Sequence, residues 1–204
     1  MKVKWIFFDV GSTLVDETEA YDHRAREMLL GSDISFEEFD KVRIKLACEG
    51  LDGNSAAISY FGLCKTPWHS EDELPYPDAA YCLAYLKNKG YKLGIIANQE
   101  EGLKNRLDAW DMLRYFDLII SSAETGCAKP DERIFLLALG SAECDANESI
   151  MVGDRLDNDI IPAKAVGMKT VWIKNNTAKY QDFSLGKNTA DFQINSLTEL
   201  LDVL

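Results

Sequence analysis

Residues 5–16, WIFFDVGSTLVD, decide the fold of this chain. The run WIFF is too short for a helix and rich in aromatic and branched residues, which is typical of a buried strand. It ends at Asp9, and the Gly11-Ser12 pair that follows predicts an immediate turn. A carboxylate at the C-terminal end of a buried parallel strand lies where open α/β sheets bind their ligands. On this stretch alone, Asp9 is equally well explained as a turn residue whose side chain bonds to its own backbone.

The composition limits the classes of function. The chain has 204 residues and a net charge of −12, and this length allows one α/β domain with a small insert. The charge argues against nonspecific binding of nucleic acid and of anionic membranes, because both would be repelled. It is compatible with an anionic small substrate if a local cation offsets the field. No apolar run approaches the ~20 residues that span a bilayer.

The cysteines and histidines favour a protein with reduced thiols and no zinc. The five cysteines form no CxxC pair, and the N-terminus has no signal-peptide pattern, so we expect a cytoplasmic protein. His23 and His69 have no ligand spacing with a cysteine, so we expect no zinc site and assign both to the surface.

Strand and helix signals alternate from residue 77 onward. The pattern predicts strands at 91–97, 116–121, 150–153, 169–173 and 191–194, and helices at 78–90, 100–113, 130–139, 158–166 and 196–204. Such alternation predicts an α/β fold with a parallel sheet, right-handed crossovers and helices on both faces.

Residues 17–76 are expected to be helical and to interrupt the core after its first strand. The predicted helices are 17–31, 35–50 and 54–63, followed by a proline-rich loop. The sequence thus predicts a core domain of residues 1–16 and 77–204 and a helical cap domain of residues 17–76. A helical insert after a site-bearing strand can cover the site as a lid. The alternative is a set of helices packed on the flank of the sheet.

Polar residues end four of the apolar strands: Asp9, Asn98, Ser121 and Asp154. In a parallel sheet these side chains would converge on one edge. The segment GDRLDND (153–159) adds Asp157 and Asp159, and carboxylates so close together are unfavourable unless one is protonated or a cation intervenes. Oxygen ligands that retain water suit Mg²⁺ better than a transition metal. The alternative is a solvated acidic turn that caps a helix.

Lys129 and Asn98 are candidates for binding an anion at the same edge. Lys129, in GCAKPDERIF (126–135), could neutralise a phosphate or a developing oxyanion there, although most such lysines are solvent-exposed. Asn98 precedes a helix-forming run, where it would either cap the helix or donate to a bound anion.

Four segments, taken in order, resemble the haloacid dehalogenase (HAD) superfamily, in the branch with a helical cap after the first strand. They are FFDVGSTLVD (7–16), LGIIANQ (93–99), GCAKPDERIF (126–135) and VGDRLDNDIIPAKAVGMKTVWI (152–173), and together they extend over nearly the whole chain. The resemblance implies a Rossmann-like parallel-sheet core sandwiched by helices, with a small all-helical cap. Asp9 would then be the nucleophile that attacks phosphorus and forms an aspartyl-phosphate. Lys129 would steady Asp9 and the transferring group, and Asn98 with Lys129 would bind the phosphoryl oxygens of the substrate.

The resemblance also implies a Mg²⁺ site with these ligands: Asp9, the backbone carbonyl of Gly11, Asp154 and, directly or through water, Asp159. Asp157 is the weaker candidate, because the family's second acidic residue usually precedes an aliphatic residue, as Asp159 does.

Two positions depart from the family pattern. The family's phosphatases carry a second aspartate two residues after the nucleophile, which protonates the leaving group and then activates water, and this chain has Gly11 there. The Ser or Thr before the second-motif asparagine is replaced by Ala97. Because general acid–base help contributes ~10²–10⁴ in rate, the sequence predicts slow turnover of alkyl phosphates unless Asp16 or Glu17 substitutes.

The predicted function is a Mg²⁺-dependent hydrolase of the phosphatase type that acts on a small phosphorylated metabolite and is weak or restricted to good leaving groups. One alternative is a catalytically idle relative that binds a phosphorylated ligand or a protein partner, which Gly11 and Ala97 favour. The other is a metal-independent 2-haloacid dehalogenase. That branch also lacks the second aspartate, but it usually has an aromatic residue at the position of Gly11. No motif in the cap indicates the natural substrate.

Overall fold

Six parallel strands form the central sheet of the protein. The computed structural model describes residues 3–181 and 189–204. In chain order the strands are β1 (Trp5–Phe8), β2 (Val15–Asp16), β3 (Leu74–Pro75), β4 (Lys92–Ala97), β5 (Leu118–Ser121), β6 (Ser149–Gly153), β7 (Lys169–Ile173) and β8 (Phe192–Ile194). The sheet has the order β5-β4-β1-β6-β7-β8 and every neighbouring pair is parallel, so the predicted α/β fold is confirmed.

Helices cover both faces of this sheet. In chain order they are α1 (Thr18–Met28), α2 (Phe36–Cys48), α3 (Gly53–Tyr60), α4 (Ala79–Asn88), α5 (Leu103–Ala109), α6 (Ser122–Thr125), α7 (Glu132–Ser141), α8 (Ile161–Ala165) and α9 (Leu200–Val203). Within residues 3–181 and 189–204, none of the helices combines the length and the apolar character needed to cross a bilayer.

Successive side chains of β1 enter two different apolar layers, because neighbouring residues of a strand point to opposite faces. On one face Ile6 and Phe8 pack with residues of α4, α5 and α9. On the other face Phe7 packs with Phe135 of α7 and Ala163 of α8. All five residues are fully buried. Because both faces of the strand are covered, the run WIFF is apolar without alternation.

The central position of β1 determines where a site can form. Phe8 lies opposite Ile95 of β4 and opposite Val152 of β6, so the residues that follow these three strands meet at one edge. The chain moves outward from β1 through β4 to β5 and then returns to the other side of β1 for β6. The edge next to the end of β1 is therefore the topological switch point, where sheets of this type bind ligands.

The helices α1, α2 and α3 lie between β2 and β3 in the sequence and share an apolar cluster. Its buried members are Ala25, Leu29, Phe39, Ala57 and Ile58. The antiparallel pair β2–β3 joins the two ends of this segment, a pairing that the sequence pattern did not predict. Helices occur where they were predicted within residues 17–76, and the division into a core domain and a cap domain remains a prediction.

Several of the predicted helix boundaries are wrong. The helices predicted at 100–113 and 196–204 are the shorter α5 and α9. The helix predicted at 130–139 is α7, which starts after the N-cap Asp131 and continues through Gly140. The helix predicted at 158–166 begins earlier, with a π-helical turn at Leu156–Ile160, and continues as the short α8. Local hydrogen bonds set these ends, and the periodicity of apolar residues does not encode such bonds.

His23 of α1 and His69 form a stacked pair that ties α1 to the loop before β3. Their ring centroids are 3.8 Å apart and their planes differ by 11°. Glu27 Oε2 and Glu71 Oε1 lie 2.9 Å and 3.2 Å from the two ring nitrogens of His69. A histidine binds a metal ion through a lone pair that lies in the plane of its ring. Because the two rings are stacked and nearly parallel, their lone pairs do not converge on one metal ion. The His69 side chain is 18% exposed, so it lies at the surface but is partly covered by its partners.

We expect the stabilising effect of His69 to depend on pH. Its hydrogen bonds with Glu27 and Glu71 raise its pKa above the ordinary value of 6.5. The folded protein therefore binds this proton more tightly than the unfolded chain does. The stabilisation is fully present below about pH 6.5 and is lost as the pH rises through the raised value. The wild type should melt at a higher temperature than His69→Gln at about pH 5.5, and this difference should decrease as the pH is raised to about 8.5. A constant difference over this range would contradict the expectation.

Candidate functional site

Three of the predicted strand-end residues meet at the switch point. Asp9 follows β1, Asn98 follows β4 and Asp154 follows β6. All three border a cavity of about 140 Å³, together with Lys129. The fourth strand-end residue, Ser121, instead caps α6 with its hydroxyl. The sheet thus brings together side chains that lie far apart in the sequence.

Lys129 binds two carboxylates at once. Its Nζ lies 2.7 Å from Asp9 Oδ1 and 2.6 Å from Asp159 Oδ1. The lysine side chain is 1% exposed and that of Asp159 is fully buried, whereas the Asp9 side chain remains 14% exposed. Burial alone would lower the pKa of Lys129, but the charges of Asp159 and Asp9 outweigh this effect and raise it. Lys129 is therefore held as a cation against Asp9.

Asn98 holds the backbone of Lys129 in place. Its Nδ2 donates to the Lys129 carbonyl and its Oδ1 accepts from the Lys129 amide, both at 2.8 Å. This pair of bonds attaches the loop of Lys129 to the end of β4. The family resemblance implied that Asn98 binds substrate. In the structure Asn98 lies on the cavity wall and also makes this positioning contact. One of its two amide hydrogens stays available for a ligand.

Asp154 completes a cluster of three carboxylates. Asp9, Asp154 and Asp159 each offer an oxygen, and these oxygens lie within 4.8 Å of one another. Burial raises the pKa of Asp154 well above its ordinary value, and the charges of Asp159 and Asp9 raise it further. The backbone of Asp154 is fixed by the buried Trp172, whose Nε1 donates to its carbonyl at 2.7 Å.

Asp159 reaches the cluster from the π-helical turn after β6. This turn packs against Gly153, where an added Cβ would lie 2.4 Å from the Cβ of Asp159, so only glycine permits the approach. The Oδ2 atom of Asp159 accepts from the Arg155 amide at 3.0 Å. Asp157, on the same turn, is 65% exposed at its side chain and pairs with the Arg155 guanidinium. The segment GDRLDND therefore directs Asp159 inward and Asp157 toward solvent.

Glu17 is a further buried carboxylate on the wall of the same cavity. It directly precedes α1, and its Oε2 accepts from the Ser12 hydroxyl at 3.0 Å. Burial and the nearby charge of Asp9 raise its pKa to about 8. From the sequence, Asp16 and Glu17 were equally possible substitutes for the aspartate that is missing at position 11. The structure separates them, because Asp16 Oδ1 accepts from the Thr18 amide at the start of α1.

A second cavity of about 310 Å³ adjoins the first. Glu17, Tyr21 and Asn98 border both cavities. Arg24 of α1 and Trp68 lie on the wall of the larger one. The Arg24 Cζ is 5.6 Å from the Trp68 ring centroid, and its buried Nε has no hydrogen-bond partner among the described residues. The site therefore extends from the carboxylate cluster to a guanidinium on α1.

The donor set of the carboxylate cluster fits Mg²⁺. Its carboxylates offer oxygen alone, which hard divalent cations prefer. Within the described part of the chain, Lys129 is the cation that ion-pairs with Asp9 and Asp159, and Asp154 forms no ion pair. An excess of negative charge therefore remains, and a divalent cation would remove it. Gly11, whose carbonyl was predicted as a further ligand, borders the same cavity.

Comparisons with known proteins agree with this arrangement. Residues 6–173 match the family of haloacid dehalogenase-like hydrolases. A glyceraldehyde 3-phosphate phosphatase of Methanocaldococcus jannaschii is 31% identical over 99% of this chain and 97% of its own length. Another, of Pyrococcus furiosus, is 33% identical over 100% of this chain and 93% of its own length. The crystal structure of a HAD phosphatase from Thermococcus onnurineus has a TM-score of 0.67 and 27% identity, and the match covers 100% of this chain and 97% of that one.

The matched region begins in β1 and ends with β7, so it includes the loops that carry Asp9, Lys129 and Asp154. Both relatives described above exceed 30% identity over almost the whole chain, and both are phosphatases. From the sheet order, the side chains at its switch point and this similarity, we conclude that the chain belongs to the haloacid dehalogenase-like hydrolases.

Proposed function

We propose that this protein hydrolyses phosphate monoesters, with Asp9 as the nucleophile and Mg²⁺ bound at the carboxylate cluster. The observation that carries the proposal is the 2.7 Å ion pair between Lys129 Nζ and Asp9 Oδ1 at the switch point of the sheet. It holds a partly exposed carboxylate and a buried cation on the wall of one small cavity. The phosphatases among the relatives support the same type of reaction.

The proposed reaction has two steps at phosphorus. Asp9 attacks with its Oδ2 atom, and an aspartyl-phosphate forms as the bond between phosphorus and the leaving oxygen breaks. Water then attacks the same phosphorus, releases phosphate and restores the Asp9 carboxylate. In both steps the ammonium of Lys129 balances negative charge on the phosphoryl oxygens. Asn98 keeps this ammonium in place through the Lys129 backbone and can donate its remaining amide hydrogen to the same oxygens.

The proposed ligands of Mg²⁺ are Asp9, Asp154, Asp159 and the backbone carbonyl of Gly11. When bound, the ion supplies positive charge that stabilises the transferring phosphoryl group. Lys129 lies between Asp9 and Asp159 and fixes their separation in advance. The carboxylate ligands are thus preorganised before the ion binds.

We further propose that residues 17–76 act as a cap over this site. Their first helix, α1, places Tyr21 and Arg24 on the wall of the larger cavity. Across the site, Arg155 lies 3.1 Å from Asp52, which directly precedes α3. A cap in this position would exclude water and contact the part of the substrate beyond its phosphate.

Arg24 indicates the kind of leaving group. In residues 3–181 and 189–204 every other arginine lies within ion-pair distance of a carboxylate, and Arg24 does not. Its guanidinium instead lies over Trp68, in the cavity that adjoins the phosphoryl site. A guanidinium that pairs with no carboxylate of the described residues suits a carboxylate or a second phosphate of a ligand. We therefore propose that the substrate is a small phosphate monoester whose alcohol part carries a second anionic group.

Neither alternative function accounts for the site as well. If the protein were a metal-independent dehalogenase, the burial of Asp154 beside other carboxylates would have no explanation. An idle binding protein was favoured by Gly11, but the structure places the carboxylate of Glu17 directly next to this residue.

Replacing Asp9 by Asn should abolish the hydrolysis of nitrophenyl phosphate, because an amide does not attack phosphorus. We expect kcat to fall by at least about 10³-fold, and EDTA should abolish the wild-type activity as well. Asp157→Asn is the matched control, since that carboxylate lies outside the cavity and pairs with Arg155. Wild-type turnover by Asp9→Asn, or full activity in EDTA, would overturn the proposed function.

Replacing Asp154 by Asn should stabilise the metal-free protein and weaken its response to Mg²⁺. The change removes one buried carboxylate that is crowded by Asp159, Asp9 and Glu17. For a chain of this size, each kcal/mol gained should raise the melting temperature by about 2–4 °C. Thermal unfolding with EDTA and with Mg²⁺ measures both effects. If Mg²⁺ raises the melting temperature of Asp154→Asn as much as that of the wild type, Asp154 is not a ligand of the ion.

Replacing Arg24 by Met should discriminate between substrates that differ only in the second anionic group. Phosphoglycerate carries a carboxylate where glyceraldehyde 3-phosphate carries an aldehyde. We expect KM for the acid to rise about 10–100-fold, the effect of a lost charge-assisted hydrogen bond, and KM for the aldehyde to change little. Arg26→Met, on the exposed side of α1, is the control. Equal effects on both substrates would exclude the anionic class and leave the phosphatase proposal standing.

A further inference from the structure

The carboxylate of Glu17 occupies the space of the side chain that is missing at position 11. A Cβ added to Gly11 would lie 2.2 Å from Glu17 Oε1, 2.5 Å from its Cδ and 2.6 Å from Oε2. Gly11 is not among the glycines with positive φ, so its backbone conformation does not demand glycine. The Glu17 carboxylate fills the volume of a side chain at this position, so a larger residue here would have to displace the end of the Glu17 side chain.

The turn after β1 explains how Glu17 returns to Gly11. The Val10 carbonyl accepts from the amides of Leu14 and Val15, at 2.9 Å and 3.1 Å. These bonds fold the chain back on itself, and Gly11 bridges to Val15. Glu17 follows two residues later and therefore comes back beside the residues that follow Asp9.

Glu17 is held in a defined orientation. Ser12 donates its hydroxyl to Oε2 at 3.0 Å, and Ser12 in turn accepts from Asn176 Nδ2 at 3.3 Å. Within the described residues no lysine or arginine ion-pairs with Glu17, and Oε1 has no hydrogen bond to protein. The side chain is buried and borders the cavity that also contains Asp9 and Lys129. A buried carboxyl group, held by Ser12 through one oxygen, thus lies on the wall of the cavity that contains Asp9.

We propose that Glu17 is the acid–base residue of the reaction. Its carboxyl group gives a proton to the leaving oxygen while the bond from that oxygen to phosphorus breaks and the bond from Asp9 to phosphorus forms. Its carboxylate then takes a proton from the water that attacks the aspartyl-phosphate, as the bond between Asp9 and phosphorus breaks. One proton leaves Glu17 and one returns, so each turnover restores the residue.

This inference rests on the proposed phosphatase reaction and changes one expectation drawn from the sequence. Gly11 led us to expect a weak enzyme restricted to good leaving groups. With Glu17 in place, the chain has a proton donor for poor leaving groups as well, supplied from the start of α1 instead of from the turn. The other candidate, Asp16, is engaged with the Thr18 amide.

The first test compares two leaving groups in Glu17→Gln. The amide keeps the size of the side chain and can still accept from Ser12, but it does not transfer a proton. We expect kcat/KM for an alkyl phosphate to fall about 10²–10⁴-fold. Nitrophenyl phosphate, whose leaving group needs no proton, should lose far less. The exposed Glu19→Gln should leave both values unchanged.

The second test moves the carboxylate to position 11. Gly11→Asp combined with Glu17→Ala puts an aspartate into the emptied space, and we expect at least about 10-fold recovery of alkyl phosphate turnover over Glu17→Ala alone. Gly11→Asp by itself collides with Glu17 and should lower both the activity and the melting temperature. The rescue of one leaving group by a shifted carboxylate is a result that a purely structural role would not produce.

The outcomes separate this inference from the proposed function. If the wild type shows activity that requires Asp9 and Mg²⁺, and Glu17→Gln affects both esters equally or not at all, the inference is wrong and the function stands. If the wild type hydrolyses neither ester, the proposed function fails and the inference fails with it. Selective loss of alkyl phosphate turnover, with rescue by the double variant, would establish both.

Discussion

The ion pairs of Lys129 are the constraint on which the rest of the site depends. One buried ammonium contacts Asp9 after β1 and Asp159 in the turn after β6, and Asn98 after β4 binds the lysine backbone. Three neighbouring strands are thereby joined through one residue. Removing one partner of a buried ion pair leaves an uncompensated charge in the interior. This costs far more free energy of folding than burying the intact pair. The folded chain is thus held to one arrangement of nucleophile and cation.

Lys129 does not neutralise all of the buried acid around it. Asp154 and Glu17 lie on the same cavity wall and, in the described part of the chain, form no ion pair. Burial and the neighbouring carboxylates raise the pKa of both. Stability alone would favour apolar residues here, because buried carboxylates without partners cost free energy. The arrangement makes sense for a site that binds a cation and handles protons, and enzymes often give up stability at such places.

The sequence predicted the parts of the site that depend on strand order. Asp9, Asn98 and Asp154 follow apolar strands, and parallel strands bring their ends to one edge, so no side-chain detail was needed. Strand order alone does not predict the position of Glu17. Gly11 and Ser12 predicted a turn, but the approach of Glu17 to Gly11 depends on the hydrogen bonds that close Val10–Val15, which residue types do not specify. Residue types do not specify the π-helical turn that aims Asp159 inward either, and such turns are frequent at functional sites.

The position of Glu17 at the start of α1 connects proton transfer with substrate selection. Arg24 lies seven residues further along the same helix, about two turns away, and borders the cavity proposed for the rest of the substrate. A carboxylate at position 11 would belong to the turn after β1 and stay in place however α1 moved. A carboxylate at position 17 instead lies directly before α1, the helix that also carries Arg24. In the proposed reaction, a ligand that binds Arg24 therefore also positions the proton donor, so binding energy far from phosphorus contributes to the chemical step.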